Sequence, residues 1–167
     1  MTAGSPPLVA LSIMAAIMAG ALWGCVVGRP PTADAPIPPP TATPQVVAAY
    51  HLVEDGQQQL ALGNTDVAIA TFQKALALAP SSPHANLALG EAKLRQADYR
   101  GALVYGDRVA RLVGDDRAWL WRVALLRGQA YEGVGDRSRA RAAYRDVLSV
   151  APDNAEALAG LTRLDAE

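Results

Sequence analysis

A short pattern that returns along the chain is the feature that most constrains its fold. Residues 68–80 read AIATFQKALALAP, and residues 140–152 read ARAAYRDVLSVAP, at an offset of 72 residues. A more divergent copy begins at Ala102, so the successive offsets are 34 and 38 residues. A period of this length is typical of a solenoid, in which one supersecondary unit is repeated and stacks on its neighbours.

The same features precede each copy and identify the unit as two helices joined by a turn. A glycine lies in the first predicted helix of each unit, at Gly56, Gly90 and Gly128. The turns that follow read LGN at 62–64, QAD at 96–98 and VGD at 134–136. Leucines at three- and four-residue spacing give each helix an apolar stripe, which a single helix pair leaves half exposed. Aromatic residues make up only 5% of the chain, which favours helices packed through small residues. The predicted fold class is all-α.

This unit resembles the tetratricopeptide repeat, and the resemblance covers about residues 49–154. Ala68, Ala102 and Ala140 match the small residue at which the family's two helices cross, and Phe72 and Tyr144 match the aromatic residue that fills the gap between repeats. Gly106 replaces that aromatic in the middle copy, so we expect looser packing there. The resemblance implies a short right-handed solenoid with repeats at about 49–82, 83–116 and 121–154, closed by a capping helix at 155–165.

The resemblance also implies a binding surface, because the family binds extended or helical peptides on the concave face formed by the first helices. By alignment, the predicted groove residues are Tyr50, Val53, Gln57, Leu60, His84, Leu87, Glu91, Arg95, Arg122, Leu125, Gln129 and Glu132. Some of these, Leu87 and Leu125 above all, are equally consistent with a core position. The family's clamp for chaperone C-terminal carboxylates uses lysines and asparagines, whereas this chain has Val53 and Ala88 there, which disfavours that partner.

The N-terminal segment has a different character and predicts contact with a membrane. Residues 8–28 contain neither charge nor proline and are long enough to cross about 30 Å of hydrocarbon. The sequence LWGC at 22–25 resembles the lipobox of bacterial lipoproteins, in which cleavage leaves a lipid-bearing cysteine, here Cys25. Trp23 and an N-terminal region without Lys or Arg depart from that pattern. An uncleaved anchor helix, or a signal peptide cleaved near residues 19–21, are the alternatives.

A proline-rich spacer separates residues 1–28 from the repeats. Seven prolines fall between Arg29 and Pro44, a composition that forms neither regular backbone hydrogen bonds nor an apolar core. In polyproline II geometry, at about 3.1 Å per residue, it would hold the domain on the order of 50 Å from a membrane. We therefore predict a linker at 29–45 and the repeat domain at 46–167.

Composition excludes several kinds of chemistry. One cysteine and two histidines, His51 and His84, are too few for a cysteine-based zinc site or most transition-metal sites. No glycine-rich phosphate loop occurs. The formal net charge of -1 gives no general attraction to nucleic acid. No catalytic residue, cofactor or metal is predicted, and the chain is not expected to be an enzyme.

Charge is nevertheless segregated along the repeats. Residues 93–145 carry a surplus of +6, from 12 basic and six acidic residues, between two acidic ends. A basic middle attracts an acidic protein segment, lipid headgroups or glycan phosphates, or a neighbouring copy of the chain; solvated helix faces explain the pattern nearly as well.

These features together predict a non-enzymatic adaptor tethered to a bacterial cell envelope, which captures a protein or peptide near the membrane. The layout resembles lipoproteins that assist the assembly of pilus or secretion complexes, and that pathway rests on analogy alone. The alternative is an assembly chaperone held in the inner membrane by an uncleaved helix, similar to the tetratricopeptide modules of cytochrome c maturation.

Overall fold

Seven α-helices and no strand make up the part of the chain that the structure, a computed structural model, describes, residues 38–166. The helices are α1 (Pro44–Ala61), α2 (Thr65–Leu78), α3 (Pro83–Arg95), α4 (Tyr99–Val113), α5 (Arg117–Gly133), α6 (Arg137–Val150) and α7 (Ala155–Ala166). The all-α class and the repeated helix pairs are therefore confirmed. Helix α1 begins at Pro44, two residues before the predicted start of the domain. The predicted signal or anchor segment, Cys25 and residues 29–37 of the spacer lie outside the described residues.

Each helix packs on the next, and the first helices of successive pairs also pack on one another. Helix α1 contacts α3, α3 contacts α5, and α5 contacts α7. This arrangement is a solenoid, and it places α1, α3, α5 and α7 side by side along one face. That row of helices positions the candidate site.

The turns within the three pairs share one geometry. Gly63, Ala97 and Gly135 have φ values of 82°, 59° and 80°, in the left-handed region. At each turn this residue and the one after it donate backbone hydrogen bonds to the end of the preceding helix. This is the Schellman arrangement, in which a left-handed residue closes a helix. Glycine adopts that conformation freely, whereas Ala97 carries a Cβ into it.

Polar side chains begin the helices. Asp98 Oδ1 accepts a hydrogen bond from Gly101 N at 2.9 Å, Asp136 Oδ1 from Arg139 N at 3.0 Å, and Asp116 Oδ1 from Ala118 N at 2.9 Å. Asn154 Oδ1 accepts one from Ala157 N at 2.9 Å and so begins the capping helix. These bonds satisfy amide groups that have no partner within a helix.

Aromatic rings packed on glycines hold the outer pairs together, as the resemblance implied. Phe72 lies against Gly56, where a Cβ would collide with the ring. Tyr144 lies between Gly128 of its own pair and Gly160 of α7. Both rings are fully buried. The glycines therefore act through close approach, because a methyl group at any of them would displace the ring.

In the middle pair, a side chain from the next repeat fills the space that the aromatic ring fills in the outer pairs. The expectation of loose packing at Gly106 is therefore wrong. The side chain of Leu126, from α5, occupies the space beside both Gly90 and Gly106; a Cβ on these glycines would lie 2.7 Å and 3.3 Å from Leu126 Cδ2. Leu126 is 2% exposed. Leu126 thus closes the gap that the missing aromatic would have left.

Candidate functional site: the groove along the first helices

A cleft of about 770 Å³ runs along the row of first helices, and we call it the groove. It is lined by Gln57, Leu60, His84, Leu87, Ala88, Glu91, Leu94, Arg95, Tyr99, Trp121, Arg122, Leu125, Leu126, Gln129, Asn154 and Glu156. These residues combine an apolar floor of leucines with arginines, carboxylates and amides. A cleft with few, spaced polar groups on an apolar floor is suited to a chain segment that brings side chains of both kinds.

Nine of the twelve predicted residues line this groove. They are Gln57, Leu60, His84, Leu87, Glu91, Arg95, Arg122, Leu125 and Gln129. Leu60 and Leu87 are less than a tenth exposed, so they also belong to the core, as the alternative interpretation of Leu87 foresaw. Leu125 is partly exposed. The structure brings these residues together, and binding by them stays a prediction.

The other three predicted residues lie elsewhere. Val53 is 1% exposed and packs in the core of the first pair, so it presents no surface to a partner. The prediction erred there because α1 turns this position of its apolar stripe toward α2 and α3. Tyr50 stands beside the groove against His84, and Glu132 is bound to Arg163 of α7.

A row of three aromatic rings, from α1 and from the N-terminal ends of α3 and α5, borders the groove. The Tyr50 and His84 ring centroids are 5.1 Å apart, and the His84 and Trp119 centroids are 4.6 Å apart in an edge-to-face arrangement. Burial, and then the nearby charge of Arg122, lower the pKa of His84 to about 4, while burial raises the pKa of Tyr50. Both rings are therefore uncharged at neutral pH.

Arg122 lies next to this row and stacks on two tryptophans. Its Cζ is 5.6 Å from the centroid of the Trp119 ring and 5.3 Å from that of the Trp121 ring. Such stacking stabilises the cation and restrains the long side chain. The groove therefore carries a fixed positive charge at this end.

Carboxylates and amides occupy the middle of the groove and its α7 end. Gln129 Nε2 donates to Glu156 Oε2 at 2.8 Å, which links α5 to α7. Glu91 is open to water on the cleft's free side and surrounded by protein on the others. This desolvation raises the pKa of Glu91; Glu156 adds to the rise, whereas Arg122 and Arg95 oppose it. The carboxyl of Glu91 is therefore more readily neutralised than an ordinary glutamate.

Glu132 serves to hold the capping helix. Arg163 Nε and Nη2 donate to its two carboxylate oxygens at 2.7 Å and 2.9 Å, and Tyr144 Oη also donates to it. The hydrogen bond from Arg163 is the main reason that the pKa of Glu132 is lowered. This cluster joins α5, α6 and α7, which explains Glu132 without any ligand.

Sequence reasoning missed the two tryptophans and the α7 side of the groove. Trp119 and Trp121 stand at the start of α5. Trp119 lies in the turn of helix at 117–120 that the four-residue insertion adds, and Trp121 is the first residue of the third repeat. The insertion was visible in the sequence, but aligning the repeats excluded it from the groove. Glu156 was assigned to the capping helix and Asn154 to the end of the third repeat, and the packing of α5 on α7 makes both of them groove residues.

The part of the chain at 38–166 offers little else that indicates chemistry. No three His, Cys, Asp or Glu side chains in it lie close enough to hold a metal ion. None of its helices has the length and apolar character needed to cross a membrane.

Comparison with known proteins supports this geometry. Two family models described as tetratricopeptide repeat match residues 59–125 and 125–163. No curated protein sequence matches the chain.

Solved structures match at low identity and high coverage. The TPR domain of Arabidopsis OM64 is 20% identical, with a TM-score of 0.66 over 73% of this chain and 98% of that one. The first TPR domain of Spaghetti (RPAP3), bound to the HSP90 peptide SRMEEVD, is 24% identical, with a TM-score of 0.63 over 71% and 90%. The second TPR domain of human RPAP3, in complex with the HSP70 peptide SGPTIEEVD, is 19% identical, with a TM-score of 0.60 over 72% and 95%.

The protein is thus a helical-repeat solenoid with a groove along its first helices. Residues 59–163 belong to the tetratricopeptide repeat family.

Proposed function

We propose that this protein is a non-enzymatic adaptor that binds a protein or peptide segment in the groove. The observation that carries the proposal is the groove itself, a cleft of about 770 Å³ whose leucine floor is bordered by Arg95, Arg122 and Glu91. Two domains of similar fold hold short peptides from HSP90 and HSP70. Because fold alone does not transfer a partner, the chemistry of this groove decides what binds.

Site-specific photo-crosslinking in the native host tests the groove as the binding surface. A photoreactive amino acid replaces Gln57, which lines the groove, or the control residue Gln73, which is exposed on α2. We expect discrete adducts from position 57 and none of the same mass from position 73. The substitution Leu125→Glu in the same chain should abolish those adducts, because it places a charge on the apolar floor. Equal adducts from both positions would show that the groove is not the binding surface.

We further propose that the adaptor is tethered to a bacterial cell envelope through a lipid on Cys25, where it serves the assembly of a pilus or secretion complex. The apolar stretch at 8–28, the LWGC sequence and the proline-rich spacer support this location. A tether and a groove together would concentrate the partner near the membrane.

Metabolic labelling with a clickable fatty acid, followed by cell fractionation, tests the tether. The wild-type chain should incorporate the label and sediment with membranes, whereas Cys25→Ser should accumulate as unlabelled precursor. Membrane retention of Cys25→Ser at its wild-type size, with no label on either chain, would instead support the uncleaved anchor of an assembly chaperone.

A further inference from the structure

Three charged side chains that line the groove lack the ion pairs that join helices at two other places in the structure. Outside the groove, Arg127 pairs with Asp107 and Arg141 with Asp165, each at 2.7 Å. Arg95, Arg122 and Glu91 make no ion pair with any residue in the described range 38–166. The groove therefore holds charges that a partner is free to neutralise.

Arg122 is the most restrained of these charges. Its Cζ atom lies over both the Trp119 and the Trp121 ring. The N–H donors of a guanidinium project from its edge, in a geometry that matches a carboxylate. Because the stack has already reduced the freedom of the side chain, less conformational entropy is lost when an anion binds.

No neighbour of Arg122 in the described range 38–166 forms an ion pair with it. His84 is neutral at pH 7, and it lies with Tyr50 and Trp119 in the aromatic row. The charge of Arg122 lowers the pKa of both His84 and Glu91, so its field reaches across the groove. Glu91 nevertheless has a raised pKa and does not pair with Arg122. A carboxylate brought by a partner would experience that same field.

The other residues that line the groove indicate which partner side chain lies next to this carboxylate, and at which end of the groove the carboxylate binds. Leu87 and Leu125 line the groove with Arg122 and provide the contact for an apolar side chain. Glu156 is close enough to Glu91 to raise the pKa of the Glu91 carboxyl, and these two carboxylates would repel a second anion from the α7 end of the groove. The acidic residue therefore belongs at the tryptophan end of the groove.

We propose that Arg122, held over the Trp119 and Trp121 rings, forms a subsite for an Asp or Glu side chain of the partner, next to an apolar partner residue on Leu87 and Leu125. The inference rests on the proposed function and specifies the partner's chemistry. The acidic group is a side chain within the segment, because the positions of the family's clamp for a terminal carboxylate hold Val53 and Ala88.

Selection from a random dodecapeptide library displayed within a carrier protein tests the subsite with the full-length chain. The wild type should enrich peptides with an acidic residue within a few positions of a leucine, isoleucine or phenylalanine. Arg122→Gln should lose the acidic preference while keeping the apolar one. The control Arg111→Gln removes an exposed arginine from α4 and should select the same peptides as the wild type.

Titration of an enriched peptide, made with an amidated C-terminus, measures the contact. Changing its acidic residue to the corresponding amide should weaken binding to the wild type about 10-fold, and should have little effect on binding to Arg122→Gln. Near-ultraviolet circular dichroism should report the change around Trp119 and Trp121, and far-ultraviolet spectra should confirm that Arg122→Gln is folded.

Three outcomes separate this inference from the proposed function. If no peptide is enriched, or if Leu125→Glu enriches the same peptides as the wild type, the groove is not a peptide-binding site. Enriched peptides with no acidic preference, or an equal loss on amidation in wild type and Arg122→Gln, would overturn the Arg122 subsite alone. Binding that requires a free C-terminal carboxylate would also overturn it.

Discussion

At the scale of single residues, the backbone conformation of the three turns explains which residue type suits each of them. Gly63 and Gly135 occupy left-handed turns at equivalent positions, and Ala97 occupies the third. An L-residue with a Cβ pays about 1–2 kcal/mol in that conformation. The hydrogen bonds of the turn, from Ala97 N to Leu94 O and from Asp98 N to Lys93 O, are nevertheless complete. Ala97 is therefore a strained position within an intact turn.

We predict that Ala97→Gly raises the free energy of unfolding by about 0.5–1 kcal/mol. Glycine relieves the strain, and part of that gain is offset by its greater freedom in the unfolded chain. Denaturant titration followed by circular dichroism measures the change. Gly135→Ala is the matched reverse substitution, in the same turn of the next pair, and should destabilise by about 1 kcal/mol. A loss of stability in Ala97→Gly would contradict the interpretation of strain.

At the scale of helices, the filling of the middle pair shows how a solenoid tolerates a degenerate repeat. The outer pairs each pack a large ring on a glycine of their own first helix. The middle pair has Gly106 at the ring position, and Leu126 reaches in from α5 to pack beside Gly90 and Gly106. The second and third repeats therefore share a core, because a side chain of one completes the other.

We predict that Leu126→Ala lowers the free energy of unfolding by about 2–5 kcal/mol, as for other buried leucines that leave a cavity. Leu120→Ala, on the same helix at a residue that is 38% exposed, should cost less than about 1 kcal/mol. Thermal and denaturant unfolding of the two variants measure the difference. Equal effects would show that Leu126 does not bridge the repeats.

At the scale of the whole molecule, one polar cluster closes the end of the solenoid. Glu132 of α5 accepts hydrogen bonds from Tyr144 of α6 and Arg163 of α7. Arg141 of α6 also donates to the carbonyl of Leu164 at 3.0 Å. These contacts attach α7 over the Tyr144 ring, and an end repeat needs such a cover because its apolar face has no further neighbour.

We predict that this closure weakens in acid. Since the pKa of Glu132 is lowered in the folded state, its contribution is fully present above its unfolded pKa of about 4.3 and is lost as pH falls through the folded value. Glu132→Gln should therefore cost about 1 kcal/mol at pH 7 and progressively less toward pH 3. Unfolding titrations across this range measure the difference from wild type. The pKa values of Asp98 and Asp136 are also lowered, by hydrogen bonds from Gly101 N and Arg139 N, but these groups titrate alike in both proteins and cancel in the difference.

Arg163→Gln should reproduce this pH dependence, because it removes the partner that lowers the Glu132 pKa. Hydrogen exchange should show faster opening of α7 than of α3 in both variants. A difference from wild type that stays constant between pH 7 and pH 3 would contradict the role of ionised Glu132.

The sequence by itself determined the helix pairs and their turns, because these depend on local spacing, and its resemblance to the tetratricopeptide repeat implied the face that forms the groove. The recurrence of Gly56, Gly90 and Gly128 at offsets of 34 and 38 residues indicates a stack of similar pairs. Turn residues such as Gly63 and Asp136 act within a few positions of themselves, so their roles were visible without coordinates.

Only the tertiary structure decided which side chains of that face reach the groove and which fill the core. The rotation of α1 buried Val53, and the contact of α5 with α7 turned Glu132 inward to Arg163. The extra turn of α5 brought Trp119 to His84 and placed a second tryptophan ring, besides Trp121, beside Arg122. These outcomes depend on how whole helices pack against one another. Small changes in the rotation or length of a helix decide them, and the periodicity of the sequence does not record such changes.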